Sequence, residues 1–390
     1  MKAILLPSPE STTNTLAPVT TGKPLEERVV AGRTIAEHQA QRLQTAGFDL
    51  GNRSDEGARH LFCYRTSWLS RDVLAELAKA TRSVVVHGPG NTVLAWVGTD
   101  PEQPPDTSVT ANDSNGIRLA YPWDLLALNE LIVGAITCNR LDGDVDERAA
   151  IEGHAVVEEG TRILPGVFIE GNVCIGRNCK IGPNCYLRGN TTIGDNCHIG
   201  QAVEIKNSLI MADTSIGHLS YCGDSVICEH VNFGAGTITA NLRHDGGNHR
   251  SAVKNELVDT GRRKFGTVVG DHVHTGIHTS IYPGWKIWRH RTTRPAASKV
   301  WHLTDGRARS SACRGRQTPC VRMFPSYSIS LYAIPGRHGR LPRGNPARPD
   351  RASSAANEET GETPCPSPAL ARNCSQFANT QKHCRKSLKH

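Results

Sequence analysis

The chain is short of several things at once. Aromatic residues make up 5% of its 390 residues and methionine occurs three times, so neither an aromatic-rich core nor a Met-rich adaptable surface is expected. No apolar run approaches the roughly 18–20 residues that a membrane-spanning helix needs. The stretch Met1 to Leu6 is apolar, but it is too short for the h-region of a secretory signal, and Pro7 follows it. These absences predict a cytoplasmic protein with no membrane partner. Thirteen cysteines are present, yet no two form a CxxC pair, and their spacing outlines neither a zinc site nor a disulfide framework. The formal charge of +8 is unevenly spread, because residues 288–390 hold 19 Lys+Arg against 5 Asp+Glu and the rest holds 26 against 32. A basic tail on a mildly acidic body is weak ground for nucleic-acid binding, since solvated tails are often charged. Nucleic acid is not expected as a partner.

What is present falls into three parts. Residues 1–136 read as a small α/β domain. Ala3-Ile4-Leu5-Leu6 suits a buried strand, Ile35 to Ala46 is patterned as a helix ended by Gly47, and Ser70 is the N-cap of a second helix to Ala80. Val84 to Val86 and Val93 to Val97 read as strands around a turn at residues 88–91. Residues 100–116 form a polar loop, and Trp123 to Gly134 a helix leading onward.

From Ile151 a strict period of six takes over. Apolar residues recur at Ile151, Val157, Ile163, Ile169, Ile175, Ile181, Leu187, Ile193, Ile199 and Ile205. Four places after each stands a small or apolar residue, among them Ala155, Thr161, Val173, Cys179, Cys185 and Cys197. Neither a helix nor a flat strand has this period. A three-sided coil of 18 residues does, with the lead residue filling a narrow interior. The fold expected for residues 137–287 is therefore mainly β: a left-handed parallel β-helix of hexapeptide repeats. Its cysteines are expected to be small buried residues. The period slips by one at Ile210 and again at Ile227, pauses in a projecting loop at 242–265, and returns at Val269, Thr275, Ile281 and Ile287. Residues 288–390 show no period and are rich in Arg, Pro, Ser and Ala. They read as a disordered tail, or as a repeat replaced by unrelated sequence through a frame shift, since the break falls in mid-coil where a solenoid needs a cap.

Coil geometry turns spacing into proximity. Arg188 and Lys206 are 18 residues apart and should lie one coil apart, about 4.8 Å between backbones. Two stacked cations invite an anion such as phosphate, unless both are simply solvated. His218 and Ala235 hold the same place in slipped hexads, which puts an imidazole beside the backbone of Gly234-Ala235-Gly236. A candidate base next to N–H donors is what acyl transfer requires.

The stretch Gly217-His-Leu-Ser-Tyr-Cys-Gly-Asp224, followed by Val231-Asn-Phe-Gly-Ala-Gly-Thr-Ile-Thr-Ala-Asn241, resembles the acetyltransferase domain of the bifunctional UDP-N-acetylglucosamine pyrophosphorylase/glucosamine-1-phosphate N-acetyltransferases, archaeal-type members above all. The resemblance covers about Ile151 to Ile287. It implies acetyl-CoA-dependent N-acetylation of an amino-sugar phosphate by a homotrimer. His218 would be the general base, and the Ala235 N–H would stabilise the oxyanion. Arg188, Lys206 and Tyr221 would hold the sugar phosphate, Asn232 and Asn241 would orient the sugar, and acetyl-CoA would lie along the later coils at Thr275, Gly276 and Ile277.

The N-terminal part is similar to the start of a nucleotidyltransferase, through Met1 to Leu6, Gly22-Lys-Pro-Leu25 and Glu37-His38-Gln39. Tyr121 to Leu126 and Asn129-Glu130 are similar to the linker between that family's two domains. The Gly-rich phosphate loop is missing, however. Pro7-Ser-Pro-Glu-Ser-Thr-Thr13 stands in its place, and such a backbone cannot wrap a triphosphate. Uridylyl transfer is not expected. Two alternatives stay open: a non-catalytic trimeric scaffold or sugar-nucleotide-binding relative, and an acyltransferase with another acceptor.

Overall fold

The computed structural model describes residues 1–7, 14–51, 57–106, 108–109, 116–254 and 256–293. The tail from 294 onward, the segment that replaces the phosphate loop, and the frame-shift reading lie outside the described residues.

The N-terminal part is a six-stranded mixed sheet with strand order 49–51, 2–6, 60–64, 92–98, 84–88, 108–109. The two helices form where the sequence places them. Ile35–Thr45 starts at a full capping box, with Thr34 and Glu37 exchanging hydrogen bonds, and ends before Gly47 at φ +89°. Arg71–Ala78 starts at Ser70, whose hydroxyl accepts from the Val73 N–H. The strands 84–88 and 92–98 pair antiparallel around Pro89–Asn91.

The parallel β-helix is present, with the hexad leads inside. Val157, Ile163, Ile169, Ile175, Ile181, Leu187, Ile193, Ile199 and Ile205 form one buried column with Cys179, Cys185 and Cys197. Leu187 pairs with Ile205 at an offset of 18. After that the offset is 17, as in Ile205↔Cys222 and Ile210↔Ile227, so both slips read in the sequence are real shortenings of the coil. Burial pushes the Cys185 thiol up to about 11 and the Cys222 thiol up to about 12, which suits small apolar fillers.

Two expectations change. The segment 242–265 does not simply project. It carries an antiparallel hairpin, Arg250–Val253 with Glu256–Asp259, and its end folds back so that Phe265 is fully buried against Trp123. The coil also runs past Ile287. His274 bridges Thr292, and the Gly276 N–H donates to the Thr293 hydroxyl at 2.9 Å. Thr293 thus occupies the next lead position, and polarity hid it from a search for aliphatic leads. The imidazoles of His230, His272 and His290 stack at one corner with centroids 4.7 and 4.8 Å apart, tying this last hexad to its neighbours.

The linker helix Asp124–Gly134 lies along the coil. Its Asn129, fully buried, donates to the Asn190 carbonyl at 2.7 Å and accepts from the Thr192 hydroxyl at 2.6 Å. Leu125, Leu126 and Leu128 pack with Leu209, Val226 and Val268 of the coil. Among the described residues no helix is long and apolar enough to cross a membrane.

Candidate functional site

The site is built at a corner. Gly189, Asn207 and Asp224 follow one another down the stack at φ +69°, +46° and +47°. This is the left-handed region, which Gly, Asn and Asp tolerate best. Both five-residue steps, Ile205 to Ile210 and Cys222 to Ile227, pass through this corner. Each shortening brings a polar corner residue to a place where an earlier coil has glycine.

Around it the coil assembles four of the expected residues. Arg188 and Lys206 are paired in register on adjacent strands, as their spacing requires. The anion beside each is a carboxylate. Arg188 Nη2 lies 2.7 Å from Glu204, and Lys206 Nζ lies 2.8 Å from Asp224. Asp224 is nearly buried and also accepts from Asn241 Nδ2 at 2.6 Å, while the same amide donates to the Tyr221 hydroxyl at 2.9 Å. Burial, together with Asp224 and Glu204, pushes the Tyr221 phenol up to about 12 against the pull of Arg188. The phenol stays protonated and can donate to a ligand. Glu204 and Asp224 carried no role in the sequence reading. A signal existed: Asp224 falls 17 residues after Asn207, the neighbour of Lys206, and so sits one shortened coil away, inside the very motif that singled out His218 and Tyr221.

His218 and Ala235 form a second group, on the adjoining face. Ile216 pairs with Phe233, and the Gly236 N–H donates to the His218 carbonyl at 3.1 Å. The imidazole is exposed and has no side-chain partner among the described residues. The Ala235 N–H likewise has no acceptor among them, although its carbonyl accepts from His278. His198 lies near enough that burial, Lys180 and His218 together hold its imidazole below the ordinary value. The two faces meet at Leu219-Ser220, the corner between His218 and Tyr221. Asn232 is exposed on the His218 face, paired in register with Ser215.

Of the three residues expected along acetyl-CoA, Thr275 turns its hydroxyl inward. It accepts from the Gly234 N–H at 2.9 Å and lies 2.8 Å from the Thr237 hydroxyl. Gly276 stacks against Gly234, where a Cβ on Gly234 would come within 2.5 Å of Gly276 backbone. Ile277 is half-exposed. This segment therefore presents backbone and one aliphatic side chain to a ligand, with no cation.

Known proteins match the coil region. The family described as the GMPPB C-terminal domain matches residues 169–292, which ends where the described coil ends. A bifunctional sugar-1-phosphate nucleotidylyltransferase/acetyltransferase of Sulfurisphaera tokodaii is 43% identical over 179 residues, covering 46% of this chain and 45% of that protein. The bifunctional protein GlmU of Methanococcus aeolicus is 42% identical over 186 residues, covering 46% and 45%. GlmU of Methanococcus maripaludis strain C7 is 50% identical over 169 residues, covering 43% and 41%. The chain spans under half the length of the curated relatives it matches. In the part that aligns, it is similar to the bifunctional sugar-1-phosphate nucleotidylyltransferase/acetyltransferases, the family its motifs around His218 and Asn241 resemble.

Proposed function

We propose that the protein transfers the acetyl group of acetyl-CoA to the amine of an amino-sugar phosphate, with glucosamine 1-phosphate the first candidate, in the synthesis of UDP-N-acetylglucosamine. One observation carries this reading: an exposed imidazole without a side-chain partner stands one coil from an unengaged N–H, at His218 and Ala235. His218 removes a proton from the sugar ammonium. The free amine attacks the thioester carbonyl, the Ala235 N–H donates to the oxyanion, the C–S bond breaks, and the surplus proton on nitrogen passes to the departing thiolate to give the amide and the CoA thiol. General-base and oxyanion contributions of this kind are each worth about a hundredfold or more in rate.

Arg188 and Lys206 take the phosphate without leaving their carboxylates. Arg188 uses Nε and Nη2 on Glu204, which leaves the Nη1 hydrogens, and Lys206 spends one of three N–H bonds on Asp224. Tyr221 and Asn241 orient the sugar from the same side, and Asn232 does so from the His218 face. The working unit in this reading is a homotrimer, and acetyl-CoA follows the coils at Thr275 to Ile277. Nucleotidyl transfer is not part of the proposal.

The test is thiol release from acetyl-CoA by the full chain, across a panel of amino-sugar phosphates. Turnover with a phosphorylated amino sugar, lost in His218→Ala, supports the proposal. Acceptor binding with no thiol release from any acceptor overturns it. That outcome would favour a non-catalytic sugar-phosphate-binding scaffold, a reading helped by the full pairing of both cations with Glu204 and Asp224.

A further inference from the structure

A line of hydrogen bonds runs from the linker helix into the cation pair. Asn129 and the Asn172 amide fix the helix to the coil, the latter donating to the carbonyls of Val133 at 3.1 Å and Ile136 at 2.9 Å. Next to Asn129, the Glu130 carboxylate accepts from Asn207 Nδ2 at 2.7 Å and pairs with the Arg262 guanidinium. The same Asn207 amide nitrogen donates to Asp224 Oδ1 at 3.1 Å. Asp224 Oδ2 then holds Lys206 and Asn241. An amide has two N–H bonds, and here each goes to a different carboxylate, so Asn207 spaces two like charges and fixes the orientation of both.

We infer that Glu130 is a positioning residue for the sugar-phosphate end of the site, acting through Asn207 and Asp224 on Lys206 and Asn241. This rests on the reading of Arg188 and Lys206 as phosphate ligands. Glu130 sets which face of the Asn207 amide meets Asp224. That leaves one Asp224 oxygen for Lys206 and Asn241 and fixes where the ammonium is held. Without Glu130 the amide is free to turn its oxygen toward Asp224. The carboxylate then loses a donor and re-aims Lys206. A displacement of about 1 Å at a binding group is enough to change transition-state affinity by one to two orders of magnitude. Arg262 supplies the control, because its guanidinium pairs with Glu130 but takes no part in the line to Asp224.

The experiment compares Glu130→Ala, Glu130→Gln and Arg262→Met in the full chain. Steady-state constants are read for both substrates, together with the rate at which an amine-acylating reagent labels Lys206, followed by peptide mass. Glu130→Ala should raise KM for the sugar phosphate by about tenfold and change kcat and the KM for acetyl-CoA by less than about twofold. Lys206 labelling should rise by about threefold or more. Glu130→Gln keeps an acceptor toward Asn207 and should recover most of the loss; Glu130→Leu, which keeps volume but offers no acceptor, takes the place of the alanine variant if that chain does not fold. Arg262→Met should leave KM and labelling unchanged. An unchanged sugar-phosphate KM and unchanged labelling in Glu130→Ala overturn the inference, as does an equal rise in Arg262→Met. If the wild type releases no thiol, the acetyltransferase reading fails by itself, and the labelling comparison still decides the line from Glu130 to Lys206.

Discussion

Arg28 and Asp271, 243 residues apart, are joined by two parallel hydrogen bonds of 2.8 and 2.7 Å. The guanidinium is fully buried, its Nε donates to the Val19 carbonyl, and Asp271 also accepts from the Glu229 N–H. This pair closes the first domain onto the later coils. Removing one partner strands a buried charge, which costs about 3–5 kcal/mol. Arg28→Met should therefore lower unfolding free energy by about that amount in a denaturant titration, and Asp271→Asn should do so to a lesser degree. Equal stability of Arg28→Met and wild type would show that the two parts do not depend on each other.

Lys286 is a buried amine with no carboxylate beside it among the described residues. It is 4% exposed, and its nitrogen lies 5.4 Å from the Trp123 ring centroid. Burial pushes its pKa from 10.5 down to about 8. Below about 8 the folded chain carries a protonated, desolvated ammonium, so the penalty is fully present there. Between that value and the ordinary lysine value the folded chain binds fewer protons than the unfolded one, so stability rises with pH. Lys286→Met should be more stable than wild type at pH 7 by on the order of 3 kcal/mol. The gap should close as pH approaches the ordinary lysine value. Tm measured across that range checks both the sign and the window.

Two neighbouring glycines should respond oppositely to a methyl group. A Cβ on Gly200 would stand 1.9 Å from the Gly217 carbonyl oxygen, whereas a Cβ on Gly217 meets nothing within 4 Å. Gly200→Ala should cost about 1–3 kcal/mol by forcing adjacent coils apart. Gly217→Ala should stay within about 0.5 kcal/mol of wild type. Thermal unfolding of the two variants gives the comparison directly.

His218→Ala should leave Tm unchanged, because the imidazole is exposed and holds no neighbour in place. Its effect belongs to turnover, with a loss of about a hundredfold to ten-thousandfold. A parallel drop in Tm would mean that the residue supports the corner instead.

The coil was legible because its interior admits one kind of residue at one interval, so Ile193, Ile199 and Ile205 announce themselves. Even the shortenings at Ile210 and Ile227 could be read, since the leads resume at once. Thr293 could not, because there a hydroxyl that bonds Gly276 does the work of an aliphatic lead. Of the site, the stacking of Arg188 on Lys206 and of His218 on Ala235 followed from the interval alone. Their carboxylate partners did not. Glu204 and Asp224 sit two places before and 18 places after Lys206, and nothing in a period says which outward side chains turn toward each other. The pairing of Arg28 with Asp271 and the burial of Lys286 depend on how the first domain docks, which no local pattern encodes.

Asp224 has two jobs that constrain each other. Its backbone angle of φ +47° favours glycine, asparagine or aspartate, although Ala202, Leu219 and His230 take similar angles at other corners. Its contacts with the ammonium of Lys206 and two amides require a carboxylate. Aspartate is the residue that meets both preferences at once. A substitution at this position therefore changes the cost of the turn and the hold on Lys206 together.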